Sequence, residues 1–167
     1  MPTSALDRLI VRPARMEDVD VLVTFSAAMA LETEGRRLDM DRLRRGTRGV
    51  FDSPTRGFYV VAELLQALSP VMIGQLLVTY EWSDWRDATF WWIQSLYVHP
   101  DWRRRGVYRQ MHEYVRQQAR SRGDVCGIRL YVEAGNTGAQ AAYRQTGLFP
   151  SNYRVLEEDF VFPRNMV

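Results

Sequence analysis

The run from Phe90 to Val98 carries apolar side chains at positions of both parities. Phe90, Trp92, Leu96 and Val98 are expected to point one way, and Trp91, Ile93 and Tyr97 the other. Successive side chains of a strand alternate between faces, so a strand of this kind must be covered on both sides. A sheet with one wet face is excluded here, and the chain must build a layered α/β arrangement around this strand.

The flanking segments supply the layers. Leu9 to Pro13 reads as a first strand. Val19, Val21, Leu22, Phe25 and Met29 recur at helical spacing after Met16, and a second helix is expected from Asp39 to Val50. Phe58 to Leu64 and Val71 to Tyr80 are rich in β-branched and aromatic residues and read as strands, with a turn at Trp82 to Asp87 before the Phe90 strand. A helix follows from about Arg105 to Arg120, then a strand from Cys126 to Glu133. A short helix from Thr137 to Gln145 has Asn136 as its N-cap, and Tyr153 to Phe162 reads as a last strand.

Composition narrows the function classes. A chain of 167 residues, without repeats or a long linker, is expected to be one domain over 1–167. A single cysteine, Cys126, excludes an internal disulfide and a zinc quartet, and His99, His112 and Cys126 lack metal-ligand spacing, so no metal is expected. No apolar run is long enough for a membrane-spanning helix, and no secretory signal is visible, so a cytoplasmic protein without a membrane partner is expected. The net charge is only +2, with 22 basic residues against 20 acidic ones, which argues against a nucleic-acid partner. All the basic residues are arginine; without lysine the chain can form neither a Walker-type phosphate loop nor a lysine Schiff base.

The segment most informative for chemistry is Leu96-Tyr97-Val98-His99-Pro100-Asp101-Trp102-Arg103-Arg104-Arg105-Gly106-Val107-Tyr108-Arg109. Here a buried strand ends in an arginine-rich turn, and a helix begins at a glycine. Cations are unfavourable at a helix N-terminus unless an anion sits there, and glycine lets an anion approach the backbone amides. A solvated basic turn and a nucleic-acid patch are the competing readings. The position between a central strand and a helix favours an anion held in the cleft of an α/β sheet.

Arg103-Arg104-Arg105-Gly106-Val107-Tyr108 resembles the Q/R-x-x-G-x-G/A motif of the GNAT superfamily of acyl-CoA-dependent N-acyltransferases. Ile93-Gln94-Ser95-Leu96-Tyr97-Val98 is similar to the family's fourth strand. Val132-Glu133-Ala134-Gly135-Asn136 and Ala142-Tyr143-Arg144-Gln145-Thr146-Gly147-Leu148 are similar to its fifth strand and the helix that follows. One departure is Tyr108, where glycine or alanine is usual; its side chain is expected to narrow the loop or stack beside the cofactor.

The resemblance implies a mixed α/β fold whose mostly antiparallel sheet has helices on both faces and splays between the fourth and fifth strands. It implies acetyl-CoA as cosubstrate. Leu96, Tyr97 and Val98 would lie along the pantetheine arm, and Arg103, Arg104, Arg105, Gly106, Val107, Tyr108 and Arg109 around the pyrophosphate. Asn136, Ala139 and Tyr143 would complete the cofactor site. The Leu96 N–H would polarise the thioester carbonyl. Tyr143 would protonate the leaving thiolate, a transfer uphill by about 2 kcal/mol from a phenol near pKa 10 to a thiol near 8.5.

The acceptor is expected to be a primary amine of a small molecule or peptide. Glu34, Glu81 and Asp84 are candidates for the general base, and Glu34, Glu81, Trp82, Asp84 and Trp85 for an acceptor pocket using charge and cation–π contacts. A homodimer contact is the alternative reading of Trp82 and Trp85. A non-catalytic acyl-CoA-binding module is the alternative for the whole chain, and retention of Asn136 and Tyr143 favours the enzyme.

Overall fold

The computed structural model describes residues 8–66 and 69–162. Five strands form one sheet in chain order: β1 (Leu9–Pro13), β2 (Phe58–Leu64), β3 (Val71–Ser83), β4 (Ala88–Val98) and β5 (Val125–Leu130). Neighbours from β1 to β4 are antiparallel, while β4 and β5 are parallel. The parallel step needs a crossover, which α3 (Val107–Arg120) provides. Helices α1 (Val19–Glu34) and α2 (Met40–Asp52) separate β1 from β2, and α4 (Thr137–Gln145) follows β5.

Both faces of the sheet are covered, as the Phe90–Val98 pattern requires. On one face Val60, Leu76, Val78, Trp91 and Ile93 pack with Val107, Met111 and Val115 of α3. On the other, Tyr59 and Val61 pack with Leu22 of α1. No helix among the described residues is long and apolar enough to cross a membrane.

The facing of β4 differs from the simple alternation. Ile93 pairs with Val78 of β3, yet Ser95 pairs with the adjacent Leu77, so Gln94 is an extra residue, a β-bulge. One inserted residue reverses the parity of everything after it. Leu96 and Val98 therefore pack on the α3 face together with Trp91 and Ile93. Tyr97 lies on the α1 face, its ring 5.0 Å from that of Phe25.

Four other boundaries move. Trp82 belongs to β3, and only residues 84–87 form the turn. Helix α3 starts at Val107 rather than Arg105, because Arg104 and Gly106 have φ of +60° and +83°, which no helix accommodates. Strand β5 ends at Leu130 instead of Glu133, since its ladder partner β4 is bulged beyond Ile93. The segment Tyr153–Phe162 is not a strand: Leu156 and Phe160 are 95% and 86% exposed. Its Asp159 carboxylate instead accepts the N–H groups of Val161 and Phe162, both at 2.8 Å, a local turn that competes with a ladder.

Candidate active site

The bulge at Gln94 is where the sheet opens. The β4–β5 ladder runs from Thr89↔Val125 to Ile93↔Leu130 and stops. Strand β4 continues to Val98 on β3 alone, through Leu96↔Leu76 and Val98↔Gly74. The expected splay between the fourth and fifth strands is thus present, with Gln94–Val98 along one side of the gap.

Backbone direction decides what faces that gap. The His99 N–H donates to Ile73 O of β3 at 2.8 Å. Main-chain groups along an antiparallel strand alternate, so Tyr97 also points to β3, while Leu96 and Val98 turn theirs into the gap. The Val98 carbonyl accepts from Arg103 Nε at 2.9 Å. The N–H groups of Leu96 and Val98 and the Leu96 carbonyl are left for an incoming extended chain, an added-strand geometry.

The gap leads to the N-terminus of α3. Gly106 caps the helix in a left-handed conformation, and no side chain caps it. The Gln110 N–H returns to Gly106 O at 3.1 Å, so the amides before it in the first turn, Val107 to Arg109, have no helical acceptor. A Cβ on Gly106 would meet nothing within 4 Å, so the space over these amides is open. Positive φ at Arg104 and Gly106 turns successive N–H groups into a concave nest suited to a diphosphate.

The three arginines have different tasks. Arg103 folds back: beside its bond to Val98 it donates to Glu32 Oε2 at 2.6 Å and lies 5.4 Å over the Tyr97 ring. Arg105 sits 5.0 Å over Trp102. Arg104 and Arg109 form no ion pair among the described residues, and both are exposed at the loop and first turn.

Helix α4 lies beside this first turn. The Tyr143 ring is 5.2 Å from that of Tyr108 in an edge-on contact, and burial raises both phenol pKa values. The Tyr108 hydroxyl lies 3.3 Å from Thr146 Oγ1, so this unusual side chain ties α3 to α4. Asn136 caps α4 through Oδ1, accepting the Ala139 N–H at 3.0 Å, which leaves its amide NH2 for other partners.

The acceptor-side candidates do not gather in one pocket. Glu81 and Trp82 are consecutive on β3 and point to opposite faces. Asp84 and Trp85 sit in the β3–β4 turn, and Asp87 at its end is nine residues from Leu96, roughly 30 Å of strand. Trp85 is 85% exposed. The pocket of Glu81, Trp82, Asp84 and Trp85 is therefore not formed. Glu34 ends α1 and pairs with Arg36 at 3.5 Å on the surface.

A different cluster stands at the foot of the gap. Glu81 accepts from Trp92 Nε1 and from Arg129 at 2.8 Å, Arg129 lies 3.6 Å over the Phe90 ring, and the Trp92 and Tyr131 rings are 4.4 Å apart. Sequence reasoning missed Arg129 and Tyr131, and also Glu32, which accepts from Tyr97 and Arg103. Helical spacing pointed to Glu32: it lies seven residues after Phe25, on the stripe that meets Tyr97.

Comparison with known proteins supplies the family. The model of the acetyltransferase (GNAT) family matches residues 26–148. The chain belongs to this GNAT family. A possible acetyltransferase from Clostridium difficile is 34% identical, with a TM-score of 0.82 over 92% of this chain and 99% of that one. The GNAT fold is shared at lower identity with an aminoglycoside N-acetyltransferase in complex with CoA (13% identity, TM-score 0.75, 96% of this chain and 99% of the other). It is shared also with an aminoglycoside acetyltransferase from an uncultured soil metagenomic sample in complex with sisomicin (14%, 0.66, 90% and 98%). No curated protein matches the chain.

Proposed function

We propose that this GNAT protein transfers an acetyl group from acetyl-CoA to a primary amine of a small molecule by direct attack. The observation that carries the reading is the half-paired stretch Gln94–Val98, which opens onto the uncapped amides around Gly106. A strand edge that receives a slender amide-bearing arm, ending at an anion nest, fits a pantetheine diphosphate. The solved relative in complex with CoA, although only 13% identical, supports the choice of cosubstrate.

In this reading the Leu96 and Val98 main chain and Tyr97 line the arm. The nest from Arg103 to Arg109, with Gly106 and Val107 at its centre, holds the diphosphate, with charge from Arg104 and Arg109. Asn136 NH2 and the α4 turn at Ala139 border the arm. Acetyl-CoA supplies an activated thioester. The amine nitrogen forms a bond to the carbonyl carbon, the carbon–sulfur bond breaks, and the thiolate takes a proton from Tyr143. The Leu96 N–H donates to the carbonyl oxygen as charge develops there. Burial of Tyr143 keeps its phenol protonated at neutral pH, ready to donate.

On the acceptor side, Glu81 with Trp92 and Tyr131 attracts the ammonium form of the amine by charge and ring contacts. Both Glu81 oxygens are already engaged, by Trp92 Nε1 and by Arg129, so the ammonium proton passes to water. The small-molecule acceptor is favoured by the aminoglycoside acetyltransferases among the structural neighbours.

The test is thiol release from acetyl-CoA against a panel of amines. Wild type is expected to turn over at least one, and Tyr143→Phe to lose about 10²-fold or more in kcat with a KM for acetyl-CoA within about threefold. Tight binding of acetyl-CoA with no thiol release on any amine would replace the enzyme by the binding-module reading.

A further inference from the structure

We propose that the cavity between α3, β5 and the C-terminal end of α4 binds an amphipathic organic carboxylate, at a site separate from the acetyl-CoA cleft. Its volume is about 480 Å³, in the range of small-molecule sites. One wall is apolar, made by Val125, Ile128 and Leu148. The opposite wall is the row His112, Arg116 and Arg120, which four-residue spacing places on one face of α3.

Two groups in that row are incompletely satisfied. His112 is only 2% exposed, and its Nε2 has no hydrogen-bond partner. The Arg116 Nε is buried and likewise has none, while its Nη2 pairs with Glu113 Oε2 at 3.1 Å. Buried polar groups are rarely left unpaired, and two on one wall of one cavity point to a missing acceptor. A carboxylate satisfies both: one oxygen accepts from Arg116 Nε–H and the other from His112 Nε2–H. Arg120, which forms no ion pair among the described residues, adds charge at the rim. Burial holds the imidazole neutral, so Arg120 supplies the uncompensated charge, Arg116 shares its guanidinium with Glu113 and the ligand, and the histidine supplies a directional donor. The apolar wall requires that the carboxylate carry a ring or a short alkyl body.

The site meets the cofactor cleft where the His112 and Tyr108 rings lie 5.7 Å apart, extends away from it along α3, and differs from it in chemistry. Arg116 lies ten residues along α3 from Gly106, roughly 15 Å of helix. It relies on side chains, whereas the cleft relies on main-chain amides.

The experiment titrates the whole chain with 4-phenylbutyrate and with its uncharged amide, following the ring resonances of the two histidines, with His99 as the internal reference. The expected result is a saturable shift of His112 with 4-phenylbutyrate at least tenfold tighter than with the amide, unchanged by saturating CoA. Arg120→Gln, an exposed position that the fold tolerates, is expected to weaken the carboxylate at least threefold, and Arg116→Gln at least tenfold. Leu148→Trp, which fills the cavity, is expected to abolish the shift. Equal affinity for acid and amide, no saturable shift of His112, or displacement by CoA would each overturn the proposal. None of these readouts depends on acetyl transfer.

Discussion

Ala88–Ile93 and Gln94–Val98 are two halves of one strand, yet they have opposite tasks. The first half has ladder partners on both edges and buries Trp91 and Ile93 to 5% and 3% exposure. The second keeps β3 and loses β5, with Leu96 and Val98 only partly buried against the same core. A single extra residue, Gln94, separates them. The difference teaches that an open strand edge can be made by ending one ladder while the other continues, with the rigid half holding the open half in place.

Proline at the two sites breaks this comparison most directly. Ile93→Pro removes a main-chain donor and a core side chain from the doubly paired half, and is expected to cost about 4 kcal/mol or more in urea unfolding. Leu96→Pro removes an N–H that faces the gap, so the fold is expected to survive with a loss of about 1–2 kcal/mol while kcat falls about 10²-fold. Equal destabilisation by the two variants would show that β4 is paired alike along its length. Next in size is Gly106→Asp, which sets a carboxylate and a strained φ where the diphosphate is expected. Acetyl-CoA affinity measured by calorimetry should fall about 100-fold, with a stability loss of about 1–3 kcal/mol.

The smallest effect is in the rigid layer behind β4. Burial lowers the His112 pKa, so folding opposes its protonation. Stability from this group is present above the ordinary histidine pKa near 6.5 and is lost as pH falls through the lower folded value. Urea midpoints are expected to drop as pH falls below about 6.5 in wild type, and less in His112→Gln. A slope unchanged by the substitution would place the acid sensitivity elsewhere.

The element order was legible from Leu9 to Gln145 because each segment has its own periodicity and cap. Asn136 and Asp39 mark helix starts where the structure has them. The bulge was not legible: Gln94 looks like one polar residue in an alternating strand, and only its register against Leu77 and Val78 shows the insertion. The Tyr153–Phe162 strand was over-read, since alternation states a preference and cannot supply a partner edge. Around the cleft, the glycine and the arginine run located the nest, but the triplet concealed that Arg103 is committed to Glu32 and Val98. The Glu81 cluster proposed for the acceptor side was least legible because Glu81, Trp92, Arg129 and Tyr131 come from three separate segments.

Amide hydrogen exchange at Leu96, Tyr97 and Val98, with and without acetyl-CoA, tests the open half of β4 most directly. In the free protein Tyr97 should exchange slowly, held by β3, while Leu96 and Val98 exchange at least tenfold faster; acetyl-CoA should slow both to near the Tyr97 rate. Equal protection of all three amides in the free protein, or no slowing when acetyl-CoA is bound, would contradict a cosubstrate seated along this edge.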